Sequence, residues 1–164
     1  MLATFLRICL LRANPQDLPA SAALPAAALL VHLAVDVLTA LDMLPLERAL
    51  QAGFADTVLL AAFAHAGLTL RRLENRLRQT LAALAGCGAA LGLAAYAALG
   101  LLGEAIPAGF IWAVYLLWYL AVFSHILRHA LSLSLPAAAA VAFLYVTLSA
   151  TVSGVFLVPS GAEA

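Results

Sequence analysis

The chain has 164 residues, of which 66% are apolar and 10% charged, and its mean hydropathy is +1.08. That composition exceeds what a water-soluble core of this length can absorb and selects burial in lipid. The formal net charge of zero says nothing about partners by itself, because the charges are distributed very unevenly along the chain.

At the N-terminus, Leu2, Phe5, Leu6, Cys9 and Leu10 share one helical face, with Thr4 and Arg7 opposite. This predicts a short amphipathic helix lying in the membrane interface. Arg7 and Arg12 interrupt the apolar run and no small-residue cleavage pattern follows, so the segment is expected to be retained rather than removed as an export signal. The run Asn14-Pro15-Gln16-Asp17-Leu18-Pro19 then breaks the helix. Residues 1–21 are read as interfacial helix and linker.

Five later stretches reach the roughly 20 apolar residues that a spanning helix needs: about 22–43, 50–70, 80–102, 106–127 and 136–158. Backbone groups find no water in the hydrocarbon, and the chain is too short for a large strand barrel, so these stretches must cross as helices. Their Ala and Leu content agrees. The predicted fold is all-α: a polytopic bundle of five transmembrane helices over 22–158, followed by a short non-cytoplasmic tail at 159–164.

Connectors carrying arginine resist translocation and so fix orientation. The chain has no lysine. Arg7, Arg12, Arg71, Arg72, Arg76, Arg78 and Arg128 all fall on one side of the five spans, and Arg48 falls on the other with Asp42, Glu47, Glu104 and Glu163. This places the N-terminus in the cytoplasm and the C-terminus in the periplasm. The cytoplasmic surface built from Arg71, Arg72, Arg76, Arg78, His125, Arg128 and His129 is expected to meet anionic headgroups or another protein. Four arginines beside a membrane without aromatic interleaving are a topology signal, and no nucleic-acid partner is expected.

Span three carries Gly86, Gly88 and Gly92, a small-residue pattern that permits close helix approach and is read as packing within the bundle. Span four bears Trp112, Tyr115 and Tyr119 on one face, read as packing plus an interfacial aromatic belt, with a quinone or lipid tail as the other option. Cys9 and Cys87 are expected at different depths, too far apart to bridge, and neither sits in a metal-type spacing. No metal or cofactor is expected.

Ionisable groups inside spans are the sharpest candidates for function. His32 and Asp36 lie one turn apart on the same face of span one, His32 near the bilayer middle, and Asp56 on span two reaches a depth similar to Asp36 if the two spans form a hairpin. Three readings are open. In the preferred one, Asp36 bonds His32 or Thr39, Asp56 bonds Thr57 or reaches toward Arg48, and the set fixes packing. In the second, the carboxylates share a proton or cation, because two neighbouring carboxylates do not both ionise cheaply. In the third, His32 and His65 ligate a metal or haem, although their expected depths differ by roughly 7 Å at 1.5 Å per residue. His125 and His129, one turn apart, are placed with Arg128 in the headgroup region.

No phosphate-binding glycine loop, nucleophile elbow or HExxH-type helix is present, so an enzyme is not expected. Two cytoplasmic-side segments carry a family likeness. Arg78-Gln79-Thr80-Leu81-Ala82-Ala83-Leu84-Ala85, entering span three, and Phe123-Ser124-His125-Ile126-Leu127-Arg128-His129-Ala130-Leu131, leaving span four, resemble the corresponding entry and exit of the Ypt-interacting-protein (Yip) membrane-domain family. The resemblance implies five spans behind a short amphipathic helix, and a protein that organises other proteins or lipids. The lysine-free, Ala/Arg-rich composition points to a bacterial inner membrane. The function expected is therefore a non-catalytic scaffold or accessory subunit partnered by other integral membrane proteins. The alternatives are a small proton- or cation-conducting element using His32, Asp36 and Asp56, and thirdly a quinone- or haem-associated redox subunit.

Overall fold

The computed structural model describes residues 2–157. Its helices are α1 (Leu2–Cys9), α2 (Ala23–Ala40), α3 (Leu46–Leu70), α4 (Leu77–Leu102), α5 (Ala108–Leu131) and α6 (Leu135–Leu157), with single 3-10 turns at Pro15–Asp17 and Glu74–Arg76. Each of α2 to α6 is long and apolar enough to cross a membrane. The protein is thus an all-α, five-span integral membrane bundle. The segment 159–164, read as a non-cytoplasmic tail, lies outside the described residues.

Helix ends depart from the hydropathy boundaries for local reasons. α3 begins at Leu46, directly after Pro45 at φ −62°, so Glu47 and Arg48 fall inside its first turn rather than in a loop. α5 continues to Leu131, because Arg128 and His129 in its last turn complement the carbonyl end of the helix. Ser132 then stops it in a left-handed conformation, φ 53° and ψ 50°.

The spans form a closed ring, α2 on α4, α4 on α5, α5 on α6, α6 on α3 and α3 back on α2, with α3 also touching α4 across it. α2 and α4 approach most intimately, since glycines remove the intervening side chains. A Cβ added at Gly88 would sit 3.3 Å from the His32 ring, and one at Gly92 would sit 3.3 Å from Val35. Gly53 does the same for α3 against Val37 and Leu33 of α2. One end of the ring, the basic end, carries Arg71, Arg72, Arg76, Arg78 and Arg128. The opposite, distal end carries the α2–α3 and α4–α5 connectors.

α1 does not lie free on the interface. Its Phe5 ring packs over Gly86, and Ile8 and Cys9 are buried against α4 and α5. Leu2, Leu6 and Leu10 face outward. In lipid an apolar face has two possible partners, protein and acyl chain, so the pattern alone does not say which leucines pack inward. Cys87 lies ten residues into α4, about 15 Å from its start. α1 reaches that depth, and the two cysteines expected at different depths lie next to each other. The Cys87 thiol also faces the Phe5 carbonyl at 3.8 Å.

The linker after α1 is pinned along its length. Trp118 Nε1 donates to the Cys9 carbonyl (3.0 Å), and His125 Nε2 lies 2.9 Å from the Ala13 carbonyl. Gln16 donates to the His129 carbonyl (2.9 Å), and Gln79 donates to the carbonyls of Gln16 and Leu18 (3.0 and 2.6 Å). Gln79 and His125, from α4 and α5, both act on this linker.

Candidate functional site

α2 puts His32 and Asp36 one turn apart on its inner face, and α3 brings Asp56 to the same depth from the opposite direction. The ring thereby joins three side chains from two helices: His32 Nε2 lies 3.3 Å from Asp36 Oδ2 and 3.4 Å from Asp56 Oδ2. The ligating atoms of all three fall within 4.8 Å of one another. His32 is 3% exposed, and among the described residues neither ring nitrogen makes a well-formed hydrogen bond. With the imidazole neutral and both carboxylates ionised the group carries two negative charges inside the bundle, an arrangement expensive in lipid unless a cation compensates it.

Of the partners expected for the carboxylates, Asp36 meets His32 at 3.3 Å. The Thr39 hydroxyl donates to the Asp36 backbone carbonyl (3.0 Å), not to its carboxylate, and among the described residues the buried Thr57 hydroxyl has no partner. The partners of Asp56 come from α6: Ser149 Oγ donates to Oδ1, and Tyr145 OH lies 3.4 Å from Oδ2. Arg48 Nη1 lies 3.5 Å from the Phe156 carbonyl. Reading the sequence pairwise along α2 and α3 misses Tyr145 and Ser149. The signal was nonetheless present, as Tyr145, Ser149 and Ser153 form a polar line at i, i+4 and i+8, separate from Thr147 and Thr151 on the same span.

The cluster lines a cavity of about 360 Å³. The cavity's rim, with Met43, Leu44, Trp112 and Leu157, lies at the distal ends of the helices. The aromatic stripe of α5 forms one wall: Trp112, Tyr115 and Tyr119 descend in ring contacts of 5.5 Å each. At the bottom Tyr119 stacks on Phe123 (4.1 Å), Phe123 on Tyr145 (5.3 Å), and Tyr145 meets Phe63 (5.2 Å). Below this aromatic floor Leu60, Leu84, Val122, Ile126 and Leu127 are fully buried, so the cavity is blind toward the basic end.

The remaining candidates sit apart. His65 is exposed on the outside of α3 and does not converge with His32, which removes the geometry of a paired haem ligation. His125 and His129 contact each other edge to face at 4.7 Å and serve the linker. At the basic end, Arg71 Nε donates to the Leu131 carbonyl (3.2 Å). Arg76 donates to the carbonyls of His129 and Ala130 (3.1 and 3.2 Å) and to Ser132 Oγ (3.0 Å). These two arginines cap the carbonyl end of α5, and Arg71, Arg72, Arg78 and Arg128 are exposed. Comparison with family models, with curated proteins and with solved structures returns no match for this chain.

Proposed function

We propose that the protein is a membrane-embedded cation-binding element that draws its cation from the non-cytoplasmic side of a bacterial inner membrane. The single observation carrying this reading is the His32–Asp36–Asp56 contact at the foot of a cavity open at the distal end. Orientation follows from the arginine asymmetry, which puts the basic end in the cytoplasm. Packing alone is a poor reason for three ionisable groups to line a cavity, since a well-packed apolar core is as stable as a buried charge network or more so. The aromatic floor supports a gated, carrier-like movement over an open pore: a cation held by Asp36 and Asp56 passes only when Phe123 and Tyr145 part.

The test is uptake by proteoliposomes containing the full chain, loaded with indicators for protons and for divalent cations. A saturable uptake that is lost in Asp36→Asn, with folded protein retained, supports the reading. Uptake equal to that of empty liposomes overturns it.

A second reading, the scaffold or accessory subunit that the Yip likeness implies, draws on the exposed Arg72, Arg78 and Arg128. Pull-down from gently solubilised membranes tests it, with stoichiometric partners lost on neutralising these three arginines as the expected result. Arg71 and Arg76 contribute less to such a surface, because their guanidinium groups already serve α5.

A further inference from the structure

We infer that the cation is a divalent transition metal of the zinc type, held by His32 Nε2, Asp36 Oδ2 and Asp56 Oδ2 with a fourth position facing the cavity. This rests on the cation-binding reading and narrows it to a ligand class. The geometry carries the inference. In a tetrahedral site the distance between two ligand atoms is about 1.6 times the metal bond, so bonds of about 2.0–2.1 Å place neighbouring ligands about 3.3–3.4 Å apart. Two of the three ligand edges, those from His32 Nε2, are 3.3 and 3.4 Å, and the ligand atoms of all three residues fall within 4.8 Å of one another.

Other cations fit less well. Magnesium, octahedral at about 2.0–2.1 Å, needs ligand edges of about 3 Å and keeps most of its waters. Calcium bonds of about 2.4 Å match the spacing, but calcium takes six to eight oxygens, and an imidazole at the centre of the contact is a ligand for softer metals. Charge agrees: two carboxylates and a neutral imidazole exactly cancel one divalent cation, leaving the bundle interior neutral. An unbonded Nε2 on a side chain 97% buried, aimed between two carboxylates, is the second independent feature.

The surroundings hold the ligands in position. Ser149 donates to Asp56 Oδ1 and Tyr145 OH lies 3.4 Å from Oδ2, so hydroxyls of α6 orient the carboxylate toward His32, as outer partners of metal-bound carboxylates do. Gly88 leaves room for the imidazole, whose Nδ1 would lie 3.4 Å from a Cβ there. With three protein ligands and one position open to the cavity, the ion exchanges with the distal side and is not locked in as a structural metal.

The experiment titrates cobalt(II), then zinc(II), into the purified full chain in lipid nanodiscs. Cobalt is expected to bind at one equivalent, to give the intense visible absorption of tetrahedral cobalt, and to be displaced by zinc. Asp36→Asn and Asp56→Asn should abolish that absorption, and Ser149→Ala should weaken binding about tenfold or more. Asp42→Asn, on the α2–α3 connector, should leave it unchanged. No absorption, an octahedral spectrum, or bands that survive both aspartate variants overturns the metal assignment. If an aspartate variant fails to fold, the wild-type spectrum and the Ser149→Ala shift still decide. Absent cobalt binding combined with uptake of another cation that depends on Asp36 would sink the metal while leaving the cation reading intact. Loss of both would sink both.

Discussion

The basic half and the distal half of the same bundle are built on opposite rules. Toward the basic end α1, the linker and the five spans enclose a core of small residues and interleaved large ones: Ala82, Ala83, Leu84 and Ala85 of α4 against Leu60, Phe123, Ile126 and Leu127. Toward the distal end the same helices separate around a cavity holding His32, Asp36 and Asp56, and what is buried there is mostly small, such as Ala49, Ala52 and Ala95. The lesson is a division of labour along the helix axis. Packing in the basic half fixes the ring, and the ring in turn holds three ionisable side chains at a set distance from one another. Tyr145, 1% exposed, is the junction, stacked on Phe123 below and facing Asp56 above.

That contrast breaks most visibly at Phe123. Phe123→Ala deletes the middle of the aromatic floor, and a cost of about 3–5 kcal/mol is expected for a buried ring. Thermal unfolding in detergent should show the lower midpoint, and survivors should leak cations across the opened floor. Gly86→Ala comes next: its Cβ would lie 2.5 Å from the Phe5 ring, so the ring or α1 itself must shift, at about 1–3 kcal/mol. Maleimide labelling of Cys9 should rise from near zero in step, and Phe5→Ala in the same chain should restore the midpoint in part.

A smaller effect is expected at the basic rim. Arg76→Ala removes donors to His129, Ala130 and Ser132 in a partly exposed setting, which hydrogen-bond magnitudes put at about 1 kcal/mol. Hydrogen exchange should report it as fraying of the last turn of α5 without change in cation uptake. Smallest in stability is Asp36→Asn, isosteric and lining the cavity, expected to move unfolding by under about 1 kcal/mol while removing uptake. An Asp36→Asn protein that unfolds like Phe123→Ala would erase the distinction between the halves and return the cluster to a packing role.

How much of this was legible depends on which dimension carries the signal. Five spans could be counted because hydropathy and length are properties of a line. His32 and Asp36 could be put on one face because helical spacing is local, and the depth of Asp56 followed from treating α2 and α3 as a hairpin. Ser149 and Tyr145 were not found, because nothing in one chain says that α6 closes the ring against α3. The position of α1 was half legible: its amphipathic face is real, but whether Leu6 or Ile8 meets protein depends on a groove made by Gly86 and α5. Cys9 and Cys87 meet for the same reason, since a helix that docks beneath the interface changes the depth of everything on it.

By itself, then, the sequence determined that this is a helical membrane protein with one basic end, because solvent class and charge are written residue by residue. Only the tertiary structure decided that three ionisable groups from α2 and α3, backed by two hydroxyls from α6, share one cavity, because that depends on which helices become neighbours. The neighbours are chosen by close approach at Gly53, Gly88 and Gly92 and by the stacked rings of α5 and α6, whose effect is felt only once the helices are side by side.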